Sequence, residues 1–434
     1  MPTKFRCILA ALLLSLTLAC SGGSAGSPSS SAANYLWIAT QNDAMVRSYA
    51  IDQASGKISA VGNGGGPRAT GAQPVAIALA PDRTTLFVAN AGDGTVSVYP
   101  LNLDGSLAAS GAPVPAGNAP VAMAVDSTNN LLLAADQSSD SIIVFSITPV
   151  QPYLTSDALV LKGSFPIQTP AAPGGSGPAA LAITPLSFPC VDNRSPNPVV
   201  QKCLTLYAAN QIAGTVTAYD YFVDKSGNFV RGSIDLSGNF IVGGAVPGSP
   251  YSAGTHPSAL AFSYCAGVNP TFGVTPCQAA DANALFVTNL GSNNVISFLA
   301  CVQLPCQSGE SSPDGTLIQM GSLGVTGSAP AAVLGNPVSN FVYVVDSGSN
   351  QVDEYQYNTA NGTLASLGTA SVGGAAFSGA ITPNNSSGLN TLNWVVLPSP
   401  GALTTFRVGS NGGLTASSAG PFSIAGQPSA ILIK

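Results

Sequence analysis

Short apolar runs recur along the chain, and each is followed by the same kinds of residue at fixed distances. Each run ends at an anchor position, an aliphatic residue lies six positions further on, and an aromatic residue three positions after that. The anchors are Thr40, Asn90, Asp136, Asn210, Asn289, Asp346 and Leu397; the aliphatic residues are Val46, Val96, Ile142, Val216, Val295, Val352 and Leu403; the aromatic residues are Tyr49, Tyr99, Phe145, Tyr219, Phe298, Tyr355 and Phe406. Because seven copies keep one spacing, we expect a repeated structural unit.

Each unit predicts four strands. In the second unit an inner strand begins at Pro74, the next strand ends at Asn90, and Thr95–Tyr99 alternates with the period of two that strands show. Turn glycines that favour tight hairpins with positive φ follow most third strands; they are Gly56, Gly105, Gly227, Gly315, Gly362 and Gly412. Repeats of this length built from short strands are typical of propellers, so we predict an all-β fold, a seven-bladed β-propeller.

The two ends of the repeat region are complementary. Tyr35–Ala39 resembles a second strand without a first strand before it, and residues 428–434 resemble a first strand without a second after it. We predict that the C-terminal strand (428–434) joins the N-terminal blade and closes the ring, which would remove open sheet edges.

The first residues indicate export. Lys4 and Arg6 precede an apolar stretch that is too short to span a bilayer. The sequence Leu16-Thr17-Leu18-Ala19-Cys20 resembles the cleavage site of bacterial lipoproteins, with Thr17 where that family usually has Leu. The resemblance implies a lipoprotein signal peptide over residues 1–19 and a lipid on Cys20. The alternative is an ordinary signal peptide.

The predicted domains follow from this start. Residues 20–34 would be the lipidated cysteine and a Gly/Ser-rich tether, and residues 35–434 the propeller. Ser21 follows Cys20, and by resemblance to lipoprotein sorting this implies attachment to the outer membrane, on its periplasmic or its surface side.

Six further cysteines in an exported chain indicate disulfides. They are Cys190, Cys203, Cys265, Cys277, Cys301 and Cys306. We favour pairing between sequence neighbours, although fifteen pairings are possible for six cysteines. A metal site is disfavoured because no pair has the spacing or the neighbouring histidine of a zinc site.

The charge composition of the chain limits the classes of partner that it can bind. Charged residues make up 7% of the chain, against about 25% in average proteins, and the net charge is −6. A chain so poor in Lys and Arg lacks the basic stripe that nucleic acid requires. We therefore expect no nucleic-acid partner and membrane contact only through the lipid. We also expect no cofactor and, since a closed ring has no open edge that requires a partner, a monomer.

Two motifs carry a resemblance to a known family. Pro74-Val75-Ala76-Ile77-Ala78 and Phe286-Val287-Thr288-Asn289, with the seven-fold spacing, resemble the lactonase-like seven-bladed β-propellers, whose repeats are named after Tyr-Val-Thr-Asn. The resemblance covers roughly residues 35–434. That family includes 6-phosphogluconolactonases and many exported proteins without an established reaction, and no catalytic motif of the family can be placed on this sequence.

A proline begins the predicted inner strand of most units, at Pro74, Pro120, Pro178, Pro257, Pro330 and Pro428. The candidate site is the mouth of the propeller channel, whose rim is formed by the residues just before these prolines. His256 is the single histidine of the chain and could act as a general base or bind a ligand there. Gln73 and Gln427 occupy the same position in other units, and we place Arg68 on the loop that leads into this rim. The alternatives are a structural histidine and a solvated arginine.

These observations favour a lipid-anchored binding or interaction module of the bacterial cell envelope over an enzyme. Its partner would be an envelope polysaccharide or protein. The alternative is a lactone hydrolase, 6-phosphogluconolactonase-like, with its site at the channel mouth and a small lactone as substrate. Scarce cations disfavour a phosphosugar substrate, whereas an uncharged lactone stays compatible with the sequence.

Overall fold

The computed structural model describes residues 34–61, 66–148, 158–167, 176–185, 187–194, 197–235, 239–263, 284–301, 314–336, 339–358, 361–382 and 393–434. Within these ranges the chain forms strands, turns and bends, and none of the described residues is helical. No described segment is a long apolar helix capable of crossing a membrane.

The described strands form seven antiparallel sheets. The first contains β1 (Asn34–Thr40), β2 (Met45–Ile51), β3 (Ile58–Ala60) and β4 (Arg68–Ala69), together with the last strand of the chain, β33 (Pro428–Ile433). The second contains β5 (Pro74–Leu79), β6 (Thr85–Asn90), β7 (Thr95–Pro100) and β8 (Val114–Pro115). The third contains β9 (Pro120–Asp126), β10 (Leu131–Asp136), β11 (Ser141–Thr148) and β12 (Ala158–Pro166).

The fourth sheet is the largest. It contains β13 (Pro178–Ile183), β14 (Phe188–Asp192), β15 (Val199–Asn210), β16 (Thr215–Val223), β17 (Phe229–Ile234), β18 (Phe240–Val242) and β19 (Tyr251–Ser252). The fifth contains β20 (Pro257–Phe262), β21 (Ala284–Asn289), β22 (Asn294–Ala300) and β23 (Leu317–Val325). The sixth contains β24 (Pro330–Gly335), β25 (Phe341–Asp346), β26 (Gln351–Tyr357) and β27 (Leu364–Ser371). The seventh contains β28 (Ala380–Ile381), β29 (Trp394–Ser399), β30 (Ala402–Val408), β31 (Leu414–Ala416) and β32 (Phe422–Ser423).

The last strand of the chain pairs with the first. β33 lies beside β1 in the sheet order β3-β2-β1-β33, where β5 stands in the order β8-β7-β6-β5. The antiparallel register brings Trp37 opposite Leu432 and Ile38 opposite Ile431. β33 therefore supplies the inner strand of a sheet whose other strands come from the opposite end of the chain.

Apolar side chains between neighbouring sheets form the core. The second strand of most sheets, such as β6 and β25, is buried along its whole length. A strand covered on both faces carries a continuous apolar run, which explains why these runs are the strongest signal in the sequence. Trp37 packs with Leu86 between the first and second sheets, and Trp394 packs with Leu36 between the seventh and first.

Hydrogen bonds reinforce four of these joints. In each, an aromatic side chain on the second strand of one sheet donates to a carbonyl in the outer hairpin of the next sheet. The bonds are Trp37 Nε1 to Gly105 O (3.0 Å), Tyr207 OH to Gly315 O (2.7 Å), Tyr343 OH to Gly412 O (2.8 Å) and Trp394 Nε1 to Gln53 O (2.9 Å). Each satisfies a buried polar group that would otherwise cost about 1–3 kcal/mol.

The six turn glycines adopt the predicted conformation, with φ between 69° and 86°. Gly105 shows why glycine is needed beyond its φ. A Cβ at this position would lie 2.3 Å from the Tyr35 ring, so the hairpin of the second sheet packs directly against the first. The predicted positive φ of these glycines is confirmed, but Gly315 does not lie in a tight hairpin, since β22 ends at Ala300 and β23 begins at Leu317.

The seventh sheet departs from the repeat. Strands β1, β6, β10, β15, β21 and β25 end at the predicted anchors. In the seventh sheet, however, β29 continues beyond Leu397 to Ser399, which pairs with Ala402. The anchor prediction at Leu397 is therefore wrong, because a tighter hairpin replaces the four-residue turn of the other sheets. The inner strand of this sheet is also short, since β28 covers only Ala380–Ile381.

One predicted disulfide is confirmed. Cys190 on β14 bonds Cys203 on β15, with their Cα atoms 5.8 Å apart. Both cysteines are buried. Cys301 is disulfide-bonded as well, whereas Cys265, Cys277 and Cys306, like Cys20, lie outside the described residues.

Candidate functional site

The mouth of the propeller is built by a repeated backbone contact. In six sheets, the residue before the inner-strand proline accepts a hydrogen bond from the N–H that follows the second-strand anchor, at 2.8–3.0 Å. The accepting residues are Gln73, Ala119, Gly177, His256, Ala329 and Gln427. These main-chain hydrogen bonds hold each rim loop on the end of the neighbouring strand, and the rim side chains take no part in them.

Four rim residues have a left-handed backbone. Their φ angles are 52° at Gln73, 59° at Gly177, 53° at His256 and 54° at Ala329. Such angles are uncommon for residues with a Cβ, and an isolated case often marks a functional site. Here the same conformation recurs at equivalent positions, so it belongs to the construction of the loop rather than to the chemistry of His256.

The His256 side chain is exposed at this rim. Its carbonyl accepts the Leu290 N–H at 2.9 Å, but its imidazole has no hydrogen-bond or ion-pair partner among the described residues. Gly291 lies beside the ring, because a Cβ there would stand 2.9 Å from Nδ1. Both ring nitrogens are therefore available to a ligand or to water.

Gln73 and Gln427 also have exposed side chains. The backbone N–H of Gln427 donates to Asn42 Oδ1 at 2.7 Å. The side-chain amide of Gln427 makes no hydrogen bond within the described ranges. The amide of Gln73 is likewise unpartnered there. These two amides can donate and accept hydrogen bonds at the mouth, as a polar ligand would require.

Arg68 lies elsewhere. It is on β4, which pairs with β2 on the outer side of the first sheet, and its Nε donates to Leu107 O of the second sheet at 2.8 Å. The sequence placed Arg68 on the loop into the rim. The structure gives it a bond between two sheets at the periphery and does not bring it together with His256.

Serine hydroxyls join the inner strands just below the rim. Ser258 Oγ donates to Pro330 O at 2.7 Å, and Ser429 Oγ donates to Pro74 O at 2.5 Å. Both serines directly follow the recurring proline. Each bond ties one inner strand to the next, so the wall beneath the mouth is cross-linked by side chains as well as packed.

A pair of buried carboxyl groups lies beneath one rim loop. Asp346 ends β25 and is fully buried, and Asp353 on β26 is 5% exposed. Burial raises the pKa of Asp346 to about 8, and the neighbouring Asp353 carboxyl adds to the shift. Neither carboxyl oxygen of Asp346 has a hydrogen-bond partner, whereas Asp353 accepts the Gly327 N–H and the Gln351 amide, each at 2.7 Å.

Sequence reasoning missed this pair, although a signal was present. The residue seven positions after the anchor lies diagonally from it on the neighbouring strand. In the second and fourth sheets that residue is Ser97 or Thr217, and its hydroxyl accepts the anchor amide of Asn90 or Asn210 at 2.9 or 2.7 Å. The Asp346–Asp353 spacing marks the sheet where two acids replace that amide–hydroxyl pair.

The described residues contain no group of three or more His, Cys, Asp or Glu side chains placed to hold a metal ion. What the mouth offers is one free imidazole, two primary amides and a ring of backbone groups. Such a set can position a polar, uncharged ligand and can move a proton through the imidazole.

Comparisons with known proteins agree with this architecture. A sequence profile described as "Lactonase, 7-bladed beta-propeller" matches residues 29–116 and 68–160. No curated protein sequence matches the chain. The fold therefore defines an all-β propeller whose first third resembles the lactonase family.

Solved structures share the fold at low identity. A crystal structure from Bacteroides uniformis, described as a "putative 6-phosphogluconolactonase", is 15% identical, with a TM-score of 0.64 over 93% of this chain and 99% of its own. A second structure of that description, from Bacteroides fragilis, is 14% identical, with a TM-score of 0.62 over 94% and 99%. A protein from Lactobacillus plantarum is 16% identical, with a TM-score of 0.63 over 93% and 99%. At this identity the likeness concerns the fold.

Proposed function

We propose that this protein hydrolyses a lactone at the mouth of a lactonase-like propeller. The observation that carries the proposal is the lactonase-family match over 29–160, on a chain whose rim holds an unpartnered imidazole. The structural neighbours described as 6-phosphogluconolactonases agree with it. This reading replaces the binding module as the preferred function, because that expectation rested on composition and no feature of the described residues adds to it.

The reaction would use water and His256. The neutral imidazole would take a proton as the water oxygen attacks the lactone carbonyl carbon, and the ring C–O bond would break as its oxygen leaves with a proton. The product is a hydroxy acid. Gln73 and Gln427 would hold hydroxyl groups of the substrate through their free amides.

The substrate would be an uncharged lactone. The chain has 13 Lys and Arg residues, and none of those in the described ranges lies among the rim residues that precede the prolines. Arg68, the cation nearest to the rim in the sequence, is bound to Leu107 O at the outer side of its sheet. A phosphorylated sugar would lack the positive partners that bind its phosphate.

The seven sheets and the pairing of β33 with β1 support one closed ring of seven blades, which we include in the proposal. Export with a lipid on Cys20, attachment to the outer membrane and a monomeric state stay predictions of the sequence.

Hydrolysis of a panel of sugar and aliphatic lactones tests the proposal. His256→Asn is the informative variant, because Asn tolerates the left-handed backbone at this position. General-base catalysis contributes about 100- to 10,000-fold, so we expect kcat to fall by at least about 100-fold. Ala329→Asn, at the equivalent rim position of the sixth sheet, is the matched control and should keep full activity. Absence of turnover by the parent protein on every lactone would overturn the proposal.

A further inference from the structure

A surface pocket lies between the third and fourth sheets, away from the rim. It has a volume of about 210 Å³ and is lined by residues of β12 and β17, among them Lys162, Phe165, Phe229 and Arg231. The volume is below the roughly 300–1,000 Å³ of sites for drug-sized ligands, so the pocket suits a single small ring.

One wall of the pocket is aromatic. The rings of Phe165 and Phe229 stack with centroids 5.8 Å apart and planes inclined by 12°. Tyr219 meets Phe165 edge-on at 5.3 Å, and Tyr221 contacts Phe229 at 5.1 Å. Phe229 is half-buried, so part of its ring is open to the pocket. The flat C–H face of a sugar or another ring can bury its surface against such a wall.

Arg231 is held in place without an acid. Its guanidinium lies 4.9 Å from the Phe165 centroid and 5.4 Å from that of Tyr219, and its Nη1 donates to Gly243 O at 2.6 Å. No carboxylate pairs with it among the described residues, where the ion pairs involve Arg47 and Arg194. Its remaining N–H groups are thus preorganised donors without an acceptor among the residues that the structure describes.

Lys162 adds a second positive charge to the same pocket. Its side chain is exposed on β12 and makes no ion pair in the described ranges. In a chain with 13 cationic and 19 acidic residues, two cations around one pocket whose described lining contains no acid are unexpected by composition. The local charge is opposite to that of the whole protein and favours an anionic ligand.

We infer that this pocket binds a sugar carboxylate, with the pyranose ring against Phe229 and the carboxylate between Arg231 and Lys162. The planar guanidinium matches the two oxygens of a carboxylate, and the exposed ammonium completes the charge pair. The pocket is separate from the channel mouth, so this inference does not depend on lactone hydrolysis.

Titration calorimetry with D-glucuronate as the probe tests the inference. We expect saturable binding in the millimolar range, a typical strength for one small ring with a single charge pair. D-glucose lacks the carboxylate and acetate lacks the ring, so each should bind at least about tenfold more weakly, a loss of about 1.4 kcal/mol. Raising the salt concentration should weaken glucuronate binding, because the charges lie at the surface.

Variants locate the site. Lys162→Met removes an exposed charge that makes no ion pair with any described residue, so the fold should persist while glucuronate affinity falls at least about fivefold. Arg231→Gln should abolish binding, provided that its thermal unfolding stays close to that of the parent. Lys225→Met removes an exposed lysine from the turn between β16 and β17, outside the pocket, and should leave glucuronate affinity unchanged. No saturable glucuronate binding, or equal affinity in Lys162→Met, would overturn the inference.

Discussion

Two aspartates occupy the same repeat position and behave in opposite ways. Asp136 ends β10 of the third sheet and Asp346 ends β25 of the sixth, and both are buried. Burial by itself would raise the pKa of Asp136, but hydrogen bonds from Ser139 and the backbone outweigh it, and the pKa is lowered. The pKa of Asp346 is raised to about 8 instead.

The difference comes from where the rim-loop N–H groups point. In the third sheet, the Asn118 and Ala119 N–H groups donate to Asp136 at 2.8 and 2.9 Å. In the sixth sheet, the equivalent Ser328 and Ala329 N–H groups donate to Ser349 Oγ at 3.2 Å and Asn293 Oδ1 at 2.9 Å. The same carboxyl group is therefore stabilised as an anion in one sheet and as a neutral acid in the other.

The surroundings of Asp346 explain its preference for a proton. Asp353 lies diagonally from Asp346 on the neighbouring strand β26 and accepts hydrogen bonds from the Gly327 N–H and the Gln351 amide. Burial raises the pKa of the adjacent Glu354, and that carboxyl accepts the Leu414 N–H at 2.9 Å. Tyr355 is also close, but its hydroxyl donates to Val325 O. Burial and the adjacent Asp353 carboxyl outweigh the nearby Gly327 and Thr326 donors, so Asp346 gains from staying protonated.

Both aspartates depend on an intact propeller. The largest effect should therefore come from removing the strand that we propose closes the ring. Deleting residues 428–434 removes β33, the inner strand that pairs with β1. We expect loss of most of the folding free energy, which is about 5–15 kcal/mol for a typical domain. Urea denaturation followed by tryptophan fluorescence measures it, because Trp37 pairs with Leu432. Deleting Lys434 alone is the control, and equal midpoints for the two truncations would contradict ring closure.

Asp346→Asn should stabilise the protein and remove part of its pH dependence. The folded pKa is above the unfolded value of about 3.9, so the folded protein binds more protons between about pH 4 and 8, and the parent loses stability as the pH rises through that window. An amide cannot ionise and can donate to Asp353, as Asn90 donates to Ser97. At pH 8 we expect a gain of about 2–4 kcal/mol that shrinks toward pH 5. Parallel stability curves from pH 5 to 8 would show that Asp346 does not hold the proton.

Asp136→Asn is the same substitution at the same repeat position and should have the opposite sign. The new NH₂ group would face backbone N–H donors that now meet a carboxylate, which costs about 1–3 kcal/mol near pH 7. The folded pKa of Asp136 is lowered, so this cost should fade as the pH drops through that pKa and the parent carboxylate becomes protonated. Urea denaturation at pH 7 and pH 3 measures both limits. A stabilising Asp136→Asn would remove the proposed distinction between the two sheets.

The repeat in the sequence predicted the elements because it reflects burial on both faces. Second strands such as β6 and β25 are buried throughout and carry apolar runs that end at a polar anchor, and this pattern located six strand ends at the anchor residue. The seventh failed because a hairpin shortened at Ser399–Ala402 keeps the downstream spacing while it moves the strand end. Spacing along the chain does not reveal turn length when the strand lengthens to compensate.

The candidate site was only partly predictable. The sequence predicts His256, Gln73 and Gln427 at the rim because each directly precedes the proline that begins an inner strand. Arg68 is predicted on the loop that leads into the rim but lies on β4, because the pairing of β4 with β2 is not visible in the sequence. The pocket around Arg231 was invisible in the sequence, since Phe165 and Phe229 come from different sheets and meet only after folding.

The six carbonyls that hold the rim loops have an evolutionary consequence. Because main-chain groups make these bonds, the side chains at Gln73, Ala119, His256, Ala329 and Gln427 are not needed for them, whereas Gly177 is constrained, since a Cβ there would lie 2.6 Å from Ile212 Cγ1. A lineage could thus acquire, lose or relocate a reactive group around this opening by single substitutions. The mouth is a site where new chemistry can be sampled while the fold that displays it stays the same.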